Sequence, residues 1–168
     1  MNNITNSVRK SIQHQNWYAA LFVTLTLPDI CVALEDGKTS GSKYSSWFES
    51  NLTQYKGFLS GNDCYALRCA LLHQGKDDIL DQGMRQTLEH YVFITSGSHC
   101  NLFKDCILNG VKKSFLQLNV QRFCEDMCIA VENWLTSEAR GLEIQKRLKE
   151  TIEIHEPGYS YMGIIKFT

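Results

Sequence analysis

The run Trp17-Tyr18-Ala19-Ala20-Leu21-Phe22-Val23-Thr24-Leu25-Thr26-Leu27 resumes after Pro28-Asp29 as Ile30-Cys31-Val32-Ala33-Leu34, and it is too apolar to leave in water. A helix that is apolar all round is either buried in a core or spans a membrane. A span needs about 20 residues with few or no charges. The central Pro28-Asp29 and the two threonines argue against a span, so the segment reads as a core helix over residues 17–35 with no membrane as a partner. Pro28 cannot donate to the Thr24 carbonyl, which predicts a kink. Asp29, a carboxylate inside that helix, requires a cation or hydrogen-bond donors.

The second constrained segment is Cys64-Tyr65-Ala66-Leu67-Arg68-Cys69-Ala70-Leu71-Leu72-His73-Gln74-Gly75. At about 100° per residue, Cys64, Leu67 and Leu71 lie on one side of Arg68, with Tyr65 and Leu72 on the other. Arg68 therefore leaves the middle of an apolar stripe and must meet a carboxylate, carbonyls, a subunit interface or an anionic ligand. Asp29 is the first choice of partner and Glu35 the second. His73 is offset by about 140° from Arg68 around the axis, so the pair is expected to converge only through a cleft or a second subunit. Ser60, with Asp63 three residues on, offers an N-cap for this helix, and Gly75 a terminator.

An Arg followed after four residues by a His near the end of an apolar helix resembles the signature of the HEPN superfamily, small helical domains that include metal-independent ribonucleases. The likeness covers the Arg68–His73 motif and the order of helices over much of residues 4–75 and 119–152. In that family the position after the Arg is usually polar, often Asn; here it is Cys69. The resemblance implies a HEPN-like helical bundle that dimerises so that two motif helices build one composite site. It also implies Arg68 and His73 as catalytic residues of an endoribonuclease of defence or toxin type. RNA, a second copy of the chain, and an antitoxin or other protein are the partners it suggests, with no cofactor. A non-catalytic regulatory module on the same fold is the alternative, and a small-molecule-binding domain with a pocket along the residue 17–35 helix is another.

The 168 residues, 43% of them hydrophobic, suit one domain over residues 1–168. With a net charge of −1, no global positive field gathers nucleic acid, so any RNA contact must be local. Lys112 and Lys113 are the cations that look free to hold a phosphate backbone; Arg9-Lys10 and Lys146-Arg147-Lys149 read as solvated faces. Seven cysteines in apolar stretches, with no basic-then-apolar leader, suggest buried thiols in a reducing cytoplasm. The cysteines never fall at Cys-x2-Cys spacing, so a structural zinc site is not expected. Cys69, between Arg68 and His73, is the rival nucleophile at the candidate site.

The rest of the chain reads mainly α. Helices are expected over residues 6–15, 44–55 and 137–152, and from an Asn119 cap through Trp134. Residues 36–42 form a polar loop. Residues 91–95 are β-branched and aromatic, and residues 114–118 alternate, so they are expected to pair as strands of a long hairpin inserted into the helical pattern. A last short strand is expected within residues 161–167.

Overall fold

A computed structural model describes residues 1–77, 79, 83, 88–138, 141–155, 160–161 and 165–166. The chain is mainly helical with a small sheet. Helices α1 (Asn2–Gln13), α2 (Trp17–Asp36), α3 (Gly41–Asn51) and α4 (Gly61–Gln74) come first, with a 3-10 turn at Thr53–Tyr55 before α4. Strands β1 (His90–Ile94), β2 (Asn101–Leu108) and β3 (Val111–Asn119) follow, then α5 (Val120–Glu138) and α6 (Leu142–Leu148). Two-residue strands β4 (Ser160–Tyr161) and β5 (Ile165–Lys166) pair antiparallel near the C-terminus. One short strand is expected here; Tyr161 and Ile165–Lys166 instead belong to two strands paired with each other, and residues 162–164 and 167 lie outside those described.

Helix α2 is the spine. It starts under the Asn16 side chain, which accepts from Ala19 N, and stops at Gly37, whose φ of 72° suits a residue without Cβ. It continues through Pro28 as one helix. By length and composition α2 could cross a membrane, and half of its most apolar window is buried inside the fold. It packs on α1, α3, α4, α5 and α6, so Leu21, Leu25, Leu27, Cys31 and Leu34 meet the Phe123, Met127, Val131 and Trp134 stripe of α5 in a shared core. Burying one such side chain contributes about 1.5–3 kcal/mol, which is what holds an amphipathic α5 against α2.

Helix α5 opens where Arg122 N donates to Asn119 Oδ1 at 3.0 Å, the cap expected of Asn119. It runs on to Glu138 and takes up the start of the helix expected over residues 137–152. Gly141 caps α6, which is correspondingly short. Arg147 on α6 donates Nη1 to the Leu34 and Glu35 carbonyls, satisfying the C-terminal end of α2.

The sheet departs from the expected hairpin. The two expected strands do pair, but as residues 90–94 beside residues 115–119, with Tyr91 opposite Leu116 and Phe93 opposite Leu118, and the two strands are parallel. A parallel pair cannot be joined as a hairpin, and the intervening residues supply β2, antiparallel to β3 on its other edge, so the order is β1-β3-β2. The hairpin is β2–β3. Its turn is Asn109-Gly110, with φ of 52° and 79°, the backbone a two-residue hairpin turn demands. Tyr91, Leu116 and Leu118 bury one face of the sheet, and Tyr91 Oη donates to the Asp63 carbonyl at 2.8 Å. That bond fixes the sheet to the first turn of α4.

Candidate functional site

Helix α4 carries the motif residues because both of its ends are chemically defined. Ser60 Oγ accepts from Asp63 N at 3.0 Å at one end, and Gly75 adopts φ 65° at the other. Cys64, Leu67 and Ala70 turn into the core, which leaves Tyr65, Arg68, Cys69 and Leu72 half-buried and His73 exposed. The helix lies against α2, and the site forms where they meet.

Arg68 Nε donates to Asp29 Oδ2 at 2.9 Å, with 22% and 13% of the two side chains exposed. Asp29 also accepts from Thr39 Oγ1 at 2.7 Å, so its carboxylate has two donors from different elements. Glu35 is engaged elsewhere, accepting from Trp134 Nε1 at 3.2 Å. Burial opposes the guanidinium charge, but Asp29 and the neighbouring Cys69 thiol outweigh it, and the Arg68 pKa is raised. The cation is permanent. Cys69 also interacts with the Tyr65 hydroxyl, whose own pKa is raised by burial first and by the thiol second.

Arg68 Nη1 lies 3.2 Å from His73 Nε2. This differs from the expectation that the two would converge only across a cleft or a second subunit. Side chains on one helix five residues apart are offset, yet the guanidinium sits on a long stem and swings towards the C-terminal turn while Asp29 holds its Nε. Arginine only donates, so His73 Nε2 accepts, and the imidazole in this arrangement carries its proton on Nδ1. One chain thus assembles a carboxylate, a guanidinium and an imidazole in line: Asp29, Arg68, His73.

Lys112 and Lys113 are not brought into this cluster. They lie at the start of β3, and Lys113 Nζ is 3.2 Å from His90 Nε2, so this lysine is occupied within the sheet rather than free, as the sequence suggests. Lys112 is exposed, opposite Ile107 in the hairpin. Among the described residues, no three His, Cys, Asp or Glu side chains come together to hold a metal ion. Cys31, Cys64, Cys124 and Cys128 are buried, and burial pushes the Cys64, Cys124 and Cys128 thiols up to about 12.

Sequence reasoning missed a second polar cluster. Tyr55 Oη donates to Asp126 Oδ2 at 3.0 Å and lies 2.9 Å from His99 Nε2. His99 Nδ1 accepts from Asn119 N at 3.2 Å, so the ring proton sits on Nε2 and points at the Tyr55 oxygen. The chain of donors runs from the Asn119 amide through His99 and Tyr55 to Asp126. Burial, and to a lesser degree Arg122, lowers the His99 pKa against the opposing pull of Asp126. Burial, then Asp126, raises that of Tyr55. These residues lie in the 3-10 turn, the loop before β2 and helix α5, and no spacing in the sequence links them.

One cleft, about 560 Å³, lies at the opposite end of α4 from His73, between α3, the turn after Tyr55 and β2. Another, about 320 Å³, lies between the C-terminal half of α2 and α3. Neither is lined by Arg68 or His73. No family model, curated protein or solved structure matches this chain.

Proposed function

We propose that the chain is a HEPN-like domain that acts on RNA as a dimer, cleaving the strand without a metal ion. The observation that carries the reading is the Arg68–His73 contact at 3.2 Å on the exposed end of α4, with Asp29 steadying the guanidinium from behind. As Arg68 Nη1 turns from His73 Nε2 to the phosphate, the lone pair on that nitrogen is freed and takes the proton of an RNA 2′-hydroxyl as that oxygen attacks the adjacent phosphorus. Arg68 faces the negative charge that grows on the phosphoryl oxygens and stabilises it more as the transition state is reached. The P–O5′ bond breaks, leaving a 2′,3′-cyclic phosphate on one fragment. The departing 5′ oxygen takes a proton from the imidazolium of His73 or of its counterpart in a second copy.

The surface beside the site suits such a copy. Tyr18, 76% exposed, and Phe22, 37% exposed, lie on the same stripe of α2 as Asp29. An isologous contact across that stripe would set two Arg68–His73 pairs near a two-fold axis. RNA recruitment would then be local to the paired sites, since the net charge is −1.

The test is purified wild-type protein and His73→Ala incubated with mixed RNA in EDTA, with product ends analysed for cyclic phosphate. Wild type should cleave, and the variant should be slower by about 10²–10⁴-fold with an unchanged melting temperature. Cleavage by both proteins at one rate, or by neither, refutes the reading. The Asp29 bond to Arg68 Nε supports a second one, a non-catalytic regulatory module of the same fold in which Arg68 serves the α2–α4 contact. Absence of cleavage together with a stable dimer would favour it.

A further inference from the structure

We propose that the 560 Å³ cleft at the start of α4 is a binding site for a small amphipathic anion, an aromatic body carrying one carboxylate, sulfonate or phosphate group. Its volume lies within the range of about 300–1,000 Å³ of small-molecule sites. Its base is core surface: Phe48, Leu52, Leu59 and Leu88 line it and none is more than 3% exposed. At the rim stands Phe58, 45% exposed, an aromatic ring left in water beside an apolar cavity. An apolar ligand entering here removes both surfaces from solvent.

The charges around the cleft decide the head group. The two carboxylates that line it are already engaged. Glu49 Oε1 accepts from Gly61 N at 3.1 Å, and Asp63 accepts from Ser60 Oγ at 2.8 Å and from Leu88 N at 3.4 Å. Both sit at the positive end of the α4 dipole, which offsets their charge. Lys56 and Lys104, from opposite rims, are exposed, and neither makes an ion pair among the described residues. The cleft therefore offers two uncommitted ammonium groups over an apolar base.

The rims are held in place by the buried polar relay. Phe58 N and Leu59 N both donate to the Tyr55 carbonyl, at 2.9 and 3.0 Å, so the Lys56–Phe58 rim is a hydrogen-bonded turn, and Gly57 supplies its φ of 86°. Tyr55 in turn bonds His99 and Asp126. His99 leads directly into β2, which carries Leu102 and Lys104 on the other rim. The Tyr55–His99 contact thus ties one rim to the other, and the cleft is formed before a ligand arrives.

The experiment uses the full chain and two probes, anionic 8-anilinonaphthalene-1-sulfonate and uncharged N-phenyl-1-naphthylamine, titrated by fluorescence. Wild type should bind each saturably at one site. The double variant K56E/K104E should weaken the sulfonate by about tenfold or more, since one exposed ion-pair contact is worth up to about fivefold, while the neutral probe changes by less than about twofold. Phe58→Ala, at an exposed position, should weaken both. Absence of saturable binding, equal sulfonate affinity in the double variant, or retention of both probes by Phe58→Ala overturns the proposal. Because none of these residues touches Arg68 or His73, the outcome is independent of RNA cleavage.

Discussion

Replacing Arg68 by Ala tests whether the α2–α4 contact depends on its polar link. The magnitude follows from burial. Fully exposed ion pairs contribute about 0.2–1 kcal/mol, and breaking a fully buried one costs about 3–5 kcal/mol. With 22% of Arg68 and 13% of Asp29 exposed, this pair lies between those limits. Arg68→Ala removes one charge-assisted hydrogen bond, about 1.5–3 kcal/mol, but leaves Asp29 the Thr39 hydroxyl at 2.7 Å and an edge of solvent. The expected loss is about 2 kcal/mol, or about 4–8 °C in melting temperature for a domain of this size.

The assay is thermal and denaturant unfolding of wild type, Arg68→Ala, Asp29→Ala and the double variant at neutral pH. Asp29→Ala alone improves helix propensity while it strands the guanidinium, so only the cycle isolates the pair. A coupling energy of about 1–2 kcal/mol is expected, with Arg68→Lys intermediate because an ammonium keeps the charge but not the Nε geometry. Coupling below about 0.3 kcal/mol, within the additivity of unrelated sites, would refute the reasoning and leave Arg68 free for a ligand.

Gly61→Ala should destabilise the fold by about 3 kcal/mol in urea unfolding, since an added Cβ would run into the Ser45 carbonyl oxygen and lie 2.6 Å from Ser45 Cα, backbone that cannot move aside without separating α3 from α4. His99, its pKa lowered from the ordinary 6.5 mainly by burial, binds its proton more readily unfolded than folded, so its contribution is present above pH 6.5 and is lost as pH falls towards the folded value. Wild type should therefore lose stability below pH 6.5 more steeply than His99→Gln, as read by denaturant midpoints across pH 5–7.5. Tyr18→Glu, at a site 76% exposed, should leave the melting temperature within about 2 °C yet shift light-scattering mass from dimer to monomer. A monomeric wild type at tens of micromolar would remove the composite-site arrangement.

The helices were legible because their ends and faces are written locally. Ser60 and Gly75 bound α4, Asn119 opens α5, and the i, i+3, i+4 apolar spacing of Phe123, Met127 and Val131 needs no distant information. The sheet was only half legible. The pairing of residues 91–95 with residues 114–118 follows from their patterns, but period-2 alternation carries no direction, so parallel and antiparallel look alike. Strand β2 was hidden because its ladder shifts register between Phe103 and Cys106, where Asp105 takes φ of 53° and breaks the alternation. The signal that could have exposed it is Asn109-Gly110, among the strongest two-residue hairpin signals a sequence carries.

The two polar clusters differ in legibility for the same physical reason. Asp29 and Arg68 each stand out as a charge within an apolar helix, and the cost of leaving either alone forces a search for the other across the chain. Tyr55, His99 and Asp126 raise no such alarm, because each is an ordinary residue in a turn, a loop and an amphipathic helix. Their meeting depends on where β2 and β3 place the loop before β2 against α5, which is a property of the parallel sheet rather than of any local pattern. The same placement explains the cleft. β3 lies between β1 and β2, so the loop that carries His99 crosses past the end of β3 and reaches the Tyr55 turn, bringing Lys104 to face Lys56. Had the expected antiparallel hairpin formed, residues 96–113 would have been a free loop, with no β2 to carry Leu102 and Lys104 to the cleft. The fold element least visible in the sequence is thus the one that builds one wall of this cleft.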